Sequence, residues 1–316
     1  MSRRIIDFHT HLGDIFHENK NIAFKRPGFV PDPPGYKGFD PFNDLEDSGY
    51  TRPLVVPDIE AMNQLIDAGQ VRVWNRANIF TTGELMDKAG IRYVVSLPIL
   101  PNTSFEEALA ASKLDPRFIP FTSPDFGLSD DKMMDKLKAD IEKGARGLKL
   151  HPIIQNLPIT DKRCAGPIEL FGSLGKPITY HCGINDYYKG DSPWLGMTNS
   201  QYGSLEYTEE LFSRYPDFIW IPAHGGGLRG GELEVLAEIK AKKNLKNVYI
   251  ESSYRGAAGM KQMLELFGED RIMFGTDWPF DSCISSIKCG EEAFGNDPEL
   301  ADKFFYGNAA RLLGLE

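Results

Sequence analysis

Five of the six histidines in this 316-residue chain stand at or near the ends of short apolar runs. His9 and His11 close RIIDFHTH, His151 closes GLKLHP, His181 closes ITYHCG and His224 closes IPAHGGG; Asp277, in FGTDWPF, stands at the end of another run, and only His17 lies elsewhere. An imidazole at the edge of a core needs a partner, so a whole set at one level is hard to explain as packing. His9 and His11 are two residues apart, and side chains at that spacing on a strand share a face. Two such rings can grip one metal ion, and His181 with Asp277 can complete its shell. Nitrogen and carboxylate donors suit Zn2+ best, with Fe2+ or Mn2+ as competitors, and one ion is expected rather than two. An open coordination position would hold water with a pKa lowered to about 7, which makes hydroxide available as a nucleophile.

Those residues need elements that bring them together. Continuous apolar runs at 4–11, 92–100, 118–124, 145–152, 176–183, 217–225, 247–254 and 271–279 read as strands buried on both faces. Helical-period segments lie between them at 82–89, 104–114, 130–143, 161–174, 205–215, 231–243, 257–267 and 284–293, with a last helix near 307–313. Ser104 and Ser129 read as helix starts, and Gly144, Gly175 and Gly268 as helix ends. Strands alternating with helices predict an α/β fold, a single (β/α)8 TIM barrel over 1–316; no GxGxxG follows the first strand to favour an open doubly wound sheet. In such a barrel His9 and His11 are expected to point inward, and Phe8 and Thr10 toward the helices. Two insertions break the rhythm. Residues 13–80 are rich in proline, glycine and aromatics, with a helix expected near 58–68, and 184–203 carries Tyr187, Tyr188, Lys189 and Trp194. Both are expected to overhang the barrel mouth, the first as a lid or as an arm reaching a partner in a homodimer.

DFHTH on the first strand, histidines after the fifth and sixth, and GTDWPF on the eighth resemble the amidohydrolase superfamily. AHGGG together with GTDWPF resembles its amidohydrolase-2 branch, which holds aminocarboxymuconate-semialdehyde decarboxylase, resorcylate-type decarboxylases and 2-pyrone-4,6-dicarboxylate lactonase. FYGNAARLLGL resembles the closing helix of that branch, so the resemblance runs from 4 to 315. It implies His9, His11, His181 and Asp277 as ligands of one metal ion. It also implies His224 as the residue that activates or orients water, or as a ligand of a second ion, with Asp277 able to shuttle a proton. Lys149, two before His151, matches the position where dinuclear members carry a carboxylated lysine, so Lys149 and His224 are the candidates for a second metal. The plainer reading of Lys149 is a buried cation paired with an acid such as Glu251. His151 is the better candidate for substrate contact, and a K-x-H strand of this kind resembles ureases.

Arg229 and Arg255 lie just past the sixth and seventh strands and could take a substrate carboxylate bidentately, while Trp278 could stack on a flat substrate. The chain carries a formal net charge of -10, a poor match for a phosphate backbone. No apolar run approaches the ~18 residues of a membrane span. The start MSRRIIDFHTH has no leader-like apolar core, and Cys164, Cys182, Cys283 and Cys289 form no CxxC pair. The expectation is a cytoplasmic enzyme with a small-molecule substrate and no nucleic-acid or membrane partner. Its reaction would be metal-dependent hydrolysis of an amide, lactone or cyclic ester. The alternatives are non-oxidative decarboxylation of an aromatic or enoic acid, and a non-catalytic small-molecule-binding barrel. If 27–53 is a lid, deleting it should abolish turnover while metal content survives, read by steady-state kinetics beside elemental analysis; unchanged kinetics would end the idea.

Overall fold

Each of the eight apolar runs contains a strand, and each strand is shorter than its run. The strands are β1 Ile6–Thr10, β2 Tyr93–Ser96, β3 Phe118–Pro120, β4 Leu148–Leu150, β5 Ile178–Tyr180, β6 Trp220–Pro222, β7 Ile250–Glu251 and β8 Ile272–Met273. The structure, a computed structural model, describes residues 3–16, 69, 72–73, 76–188 and 196–315. The expected helix at 58–68, the proline-rich segment, His17, Lys189 and Trp194 lie outside the described residues. An α-helix follows every strand: α1 Ile79–Ala89, α2 Phe105–Leu114, α3 Asp130–Glu142, α4 Lys162–Ser173, α5 Leu205–Arg214, α6 Glu232–Lys242, α7 Ala257–Phe267 and α8 Cys283–Phe294. Short helices α9 Pro298–Asp302 and α10 Asn308–Leu313 end the chain. Capping sets the starts: Ser104 forms a full capping box with Glu107 ahead of α2. Asn78 accepts from the N–H groups of Phe80 and Thr81, which starts α1 at Ile79 rather than at 82.

All strand pairs are parallel, and the strands neighbour one another in chain order. The strand–helix alternation of a (β/α)8 barrel is present, but the expected continuous ladder is not. It is broken into three short sheets, β1–β2–β3, β4–β5–β6 and β7–β8. Single bridges join them: Thr122 to Leu148, Trp220 to Val248, and Thr10 to Trp278, the last bringing β8 back beside β1. Backbone bonds reinforce that seam, with the Asp277 N–H on the His9 carbonyl at 2.7 Å and the His11 N–H on the Trp278 carbonyl at 2.7 Å. Asp7 stitches the same seam from the side, accepting the Thr276 hydroxyl at 2.5 Å and its N–H at 3.0 Å.

Side chains alternate between two layers. Val94, Phe118, Leu148, Ile178, Trp220, Ile250 and Ile272 pack with helix residues such as Met86, Leu137, Phe171 and Met260. Their neighbours Val95, Ile119, Ile221 and Met273 form a separate cluster that also holds Ile6, Phe8 and Phe121. That second cluster is the inner layer, and it corrects one expectation: Phe8 faces inward, edge-on to Phe121 with centroids 5.9 Å apart. The cause is a register shift between Asp7 and Thr10, where β1 carries one residue more than β2. The extra residue lets Phe8 and His9, consecutive in sequence, both turn inward.

Gly147 sits where β3 and β4 approach each other, and a Cβ there would collide with the Phe121 ring and with the Pro177 carbonyl oxygen. Gly147→Ala should therefore destabilise the fold by about 1–3 kcal/mol. Urea unfolding with an unchanged slope and a lowered midpoint is the expected result.

Candidate metal centre at the strand ends

The centre forms where β1, β4–β6 and β8 end. His9, His11, Lys149, His151, His181, His224 and Asp277 are all buried and all line one cavity of about 50 Å³. That volume suits an ion with a few waters, at ~10–15 Å³ per water site. Ile15, Phe16, Leu228 and Phe280 supply apolar wall, and Asn185, Tyr187 and Tyr254 polar wall. Three non-glycine residues of that wall, His224, Tyr254 and Asp277, hold positive φ of 58, 61 and 60°. Left-handed backbone at such residues is sparsely populated, and its concentration here is what a strained functional rim looks like.

The far side of each ring decides what its near side offers. His11 Nδ1–H donates to the Leu97 carbonyl at 2.8 Å, so its Nε2 carries a lone pair. His9 Nδ1–H donates to Glu251 Oε1 at 3.0 Å, with the same result. Both Nε2 atoms face Asp277 Oδ1, at 3.1 Å from His9 and 3.0 Å from His11. Burial pushes His11 down to about 4, against the pull of Asp277, so it is neutral at pH 7. Asp277 is held far below the usual carboxylate range, against the raising effect of its burial, and is ionised. Three acceptor atoms thus converge, and Asp277 Oδ1 is buried with no hydrogen-bond donor. Its other oxygen takes the Tyr254 hydroxyl at 2.8 Å.

His224 and His181 repeat the pattern. The Ser253 hydroxyl donates to Glu251 Oε1 at 3.0 Å, so its oxygen accepts from His224 Nδ1–H at 2.7 Å. His181 Nε2–H is directed to the Gly183 carbonyl at 3.2 Å and touches the Tyr187 hydroxyl at 3.0 Å. The remaining lone pairs, His224 Nε2 and His181 Nδ1, face each other at 3.2 Å. Burial pushes His224 down to about 4 and His181 well below its ordinary value. Among the described residues, His9, His224 and Asp277 offer ligand atoms all within 4.8 Å of one another. Buried acceptors facing acceptors fit a divalent cation.

Not every expected residue joins this centre. His151 does: its ring stacks on His181 at 4.3 Å, and its Nδ1 accepts the Ile154 N–H at 3.2 Å, which leaves Nε2 as the protonated nitrogen. Lys149 lies against His9 Nε2 at 3.3 Å rather than in an ion pair with Glu251, and burial pushes it down to about 8. Arg255 is spent on backbone, donating to the carbonyls of His224 at 2.8 Å and Gly227 at 3.1 Å. Arg229 is exposed and away from the cavity, because its loop turns outward into α6. Trp278 is buried in the layer between strands and helices, with its Nε1–H on Thr82 of α1 at 3.1 Å, instead of stacking in the cavity. Glu251, expected only as a lysine partner, is instead the shared acceptor of His9, His224 and Ser253. The E-x-S-x-R spacing from Glu251 to Arg255 is the signal that could have found it, since alternate residues leaving a buried strand share a face.

A model of the amidohydrolase family matches residues 6–315, and the chain belongs to that family. Its fold is similar to solved structures throughout their length. An uncharacterised TIM-barrel protein from Bordetella bronchiseptica is 18% identical, with 98% of each chain covered and a TM-score of 0.64. 5-Carboxyvanillate decarboxylase from Sphingomonas paucimobilis is 15% identical, with 99% of each chain covered and a TM-score of 0.63. A probable 2-pyrone-4,6-dicarboxylic acid hydrolase from Acinetobacter baumannii is 12% identical, with 98% of this chain and 99% of that one covered and a TM-score of 0.59. The family includes hydrolases and decarboxylases, enzymes of small molecules. No described helix is long and apolar enough to cross a membrane.

Histidines depressed by burial make stability depend on pH. Unfolded, His224 and His11 take up protons from about 6.5 downward, whereas folded they do so only near 4. Their contribution is present above pH 6.5 and lost as pH falls toward 4. In metal-stripped protein, His224→Gln should flatten the fall in unfolding free energy between pH 6.5 and 4 by up to ~1.4 kcal/mol per pH unit, one proton's worth. Urea titrations across that range give the slope.

Proposed function

We propose that this chain is a metal-dependent hydrolase acting on an amide, lactone or cyclic ester of a small molecule. The observation that carries the reading is the convergence of buried acceptors on one point, with Asp277 Oδ1 left without a donor between two imidazole lone pairs. His9, His11 and Asp277 would hold one ion, with His181 completing the set; the ion is Zn2+, Fe2+ or Mn2+. When bound, it supplies Lewis-acid polarisation of a substrate oxygen and acidifies water. His224 Nε2, fixed as a lone pair by Ser253, is the base that takes the proton from the attacking water. It returns that proton to the departing nitrogen or oxygen as the C–N or C–O bond breaks. His151 Nε2–H is the donor for a substrate oxygen. With Arg229 outside the cavity and Arg255 bonded to backbone carbonyls, Lys149 is the cation that an anionic substrate group would meet. Phe16, Phe280 and Leu228 exclude bulk water, which strengthens each of these contacts.

A second reading, non-oxidative decarboxylation, is favoured by fold likeness to 5-carboxyvanillate decarboxylase and to 2,6-dihydroxybenzoate decarboxylase from Rhizobium. There His224 would govern protonation of the ring carbon that loses CO2. The experiment is a substrate screen read two ways: ¹⁸O from labelled water in a new carboxylate marks hydrolysis, and CO2 release without it marks decarboxylation. Chelation should abolish turnover. His9→Ala and Asp277→Asn should lose bound metal, while His224→Gln keeps it and loses ~10²–10⁴-fold in kcat. A His224→Gln variant with wild-type kcat would overturn the assignment.

A further inference from the structure

His224 is held from the end of β7 at three points. Glu251 Oε1 accepts its backbone N–H at 2.7 Å, Ser253 Oγ accepts its ring Nδ1–H at 2.7 Å, and Arg255 Nη2 donates to its backbone carbonyl at 2.8 Å. The three partners are alternate residues leaving one strand. Each answers a different need, because His224 is in a conformation it would not choose, with φ 58° and ψ 23°. Holding both its N–H and its carbonyl offsets that local strain, and holding Nδ1–H fixes the tautomer. Glu251 is fully buried and takes two further donors, the Ser253 N–H at 2.7 Å and hydroxyl at 3.0 Å. The same Oε1 atom that takes the His224 N–H also accepts His9 Nδ1–H at 3.0 Å.

We propose that Glu251, Ser253 and Arg255 are positioning residues that clamp His224 at its N–H, ring and carbonyl, and that Glu251 ties this clamp to His9. One carboxylate then holds both the backbone of the base and the ring of the ion ligand. The clamp rests on the proposed roles of His9 as an ion ligand and His224 as a base. A serine hydroxyl here does not attack anything: its hydrogen is committed to Glu251 and its oxygen to His224.

The test uses ¹⁵N-histidine-labelled, metal-stripped full-length protein, with long-range ¹H–¹⁵N correlation spectra reporting which ring nitrogen carries the proton. Wild-type His224 and His9 should both be single Nδ1–H tautomers. Ser253→Ala should turn His224 into a tautomer mixture and leave His9 unchanged, and Ser253→Thr should restore the single form. An unaltered His224 in Ser253→Ala, or no restoration by threonine in a folded protein, overturns the clamp. An Nε2–H form of His9 in the wild type overturns the tie to Glu251. Zn2+ affinity, by competition with a chromophoric chelator, adds a second readout. Ser253→Ala should stay within about threefold of wild type, and Glu251→Gln should bind about 10–100-fold more weakly. Wild-type affinity in Glu251→Gln sinks the tie. Failure of the wild type to bind Zn2+ would sink the metal reading instead, while the tautomers still decide the clamp.

Discussion

Two imidazole nitrogens and a carboxylate oxygen stand about 3 Å apart in a buried place: His9 Nε2 and His11 Nε2 against Asp277 Oδ1. In water such a meeting relaxes by protonation. Here the Leu97 carbonyl and Glu251 have already claimed the ring protons, and burial keeps His11 from taking another. The charge deficit at that point organises the surroundings. Tyr254 caps the second Asp277 oxygen, His181 and His224 turn further lone pairs toward each other, and aromatic side chains line the cavity.

Holding acceptors face to face requires a stiff support. The parallel strands are short, yet the β1–β8 seam is bonded through backbone at the positions that carry the centre, and Asp7 with Thr276 fastens it beneath. The local cost is visible in the left-handed torsions of His224, Tyr254 and Asp277. Each of these is pinned by a neighbour from another strand end or loop: His224 by Glu251 and Arg255, Tyr254 through its N–H on Asp281, Asp277 through its N–H on His9. Rigidity beneath and strain at the rim are two sides of one arrangement.

Much of this is legible in residue order. The histidine-ending runs and the caps at Ser104 and Gly268 are local signals, and they place strands and helices within a few residues. The ligand-type residues stand out because an imidazole at an apolar strand end must find a partner or an ion. What residue order hides is the direction of side chains. Strict alternation sends Phe8 outward because it ignores a bulge, whose extra residue shows only once β1 is laid beside β2. Arg255 looks free for substrate after its strand, yet its acceptors, the carbonyls of His224 and Gly227, lie on a neighbouring loop distant in sequence. Trp278 looks placed to stack, but its indole N–H finds Thr82 across the barrel wall. Glu251 is visible as a charge and not as a hub, since its role depends on His9 and Ser253 arriving from two strands.

The bulge in β1 has a consequence for how this molecule tolerates change. Below it, inward positions follow one phase and belong to the greasy filling of Ile6 and Phe8; above it they follow the opposite phase and belong to the histidine rim. The phase slip decouples the two storeys. Residues of the lower storey can drift with packing, and those of the upper one with chemistry, so long as the spacer between them keeps its length. Losing Thr10, which spaces the two imidazoles, would put His9 and His11 on opposite faces of the strand and leave the rim with one ring in place of two.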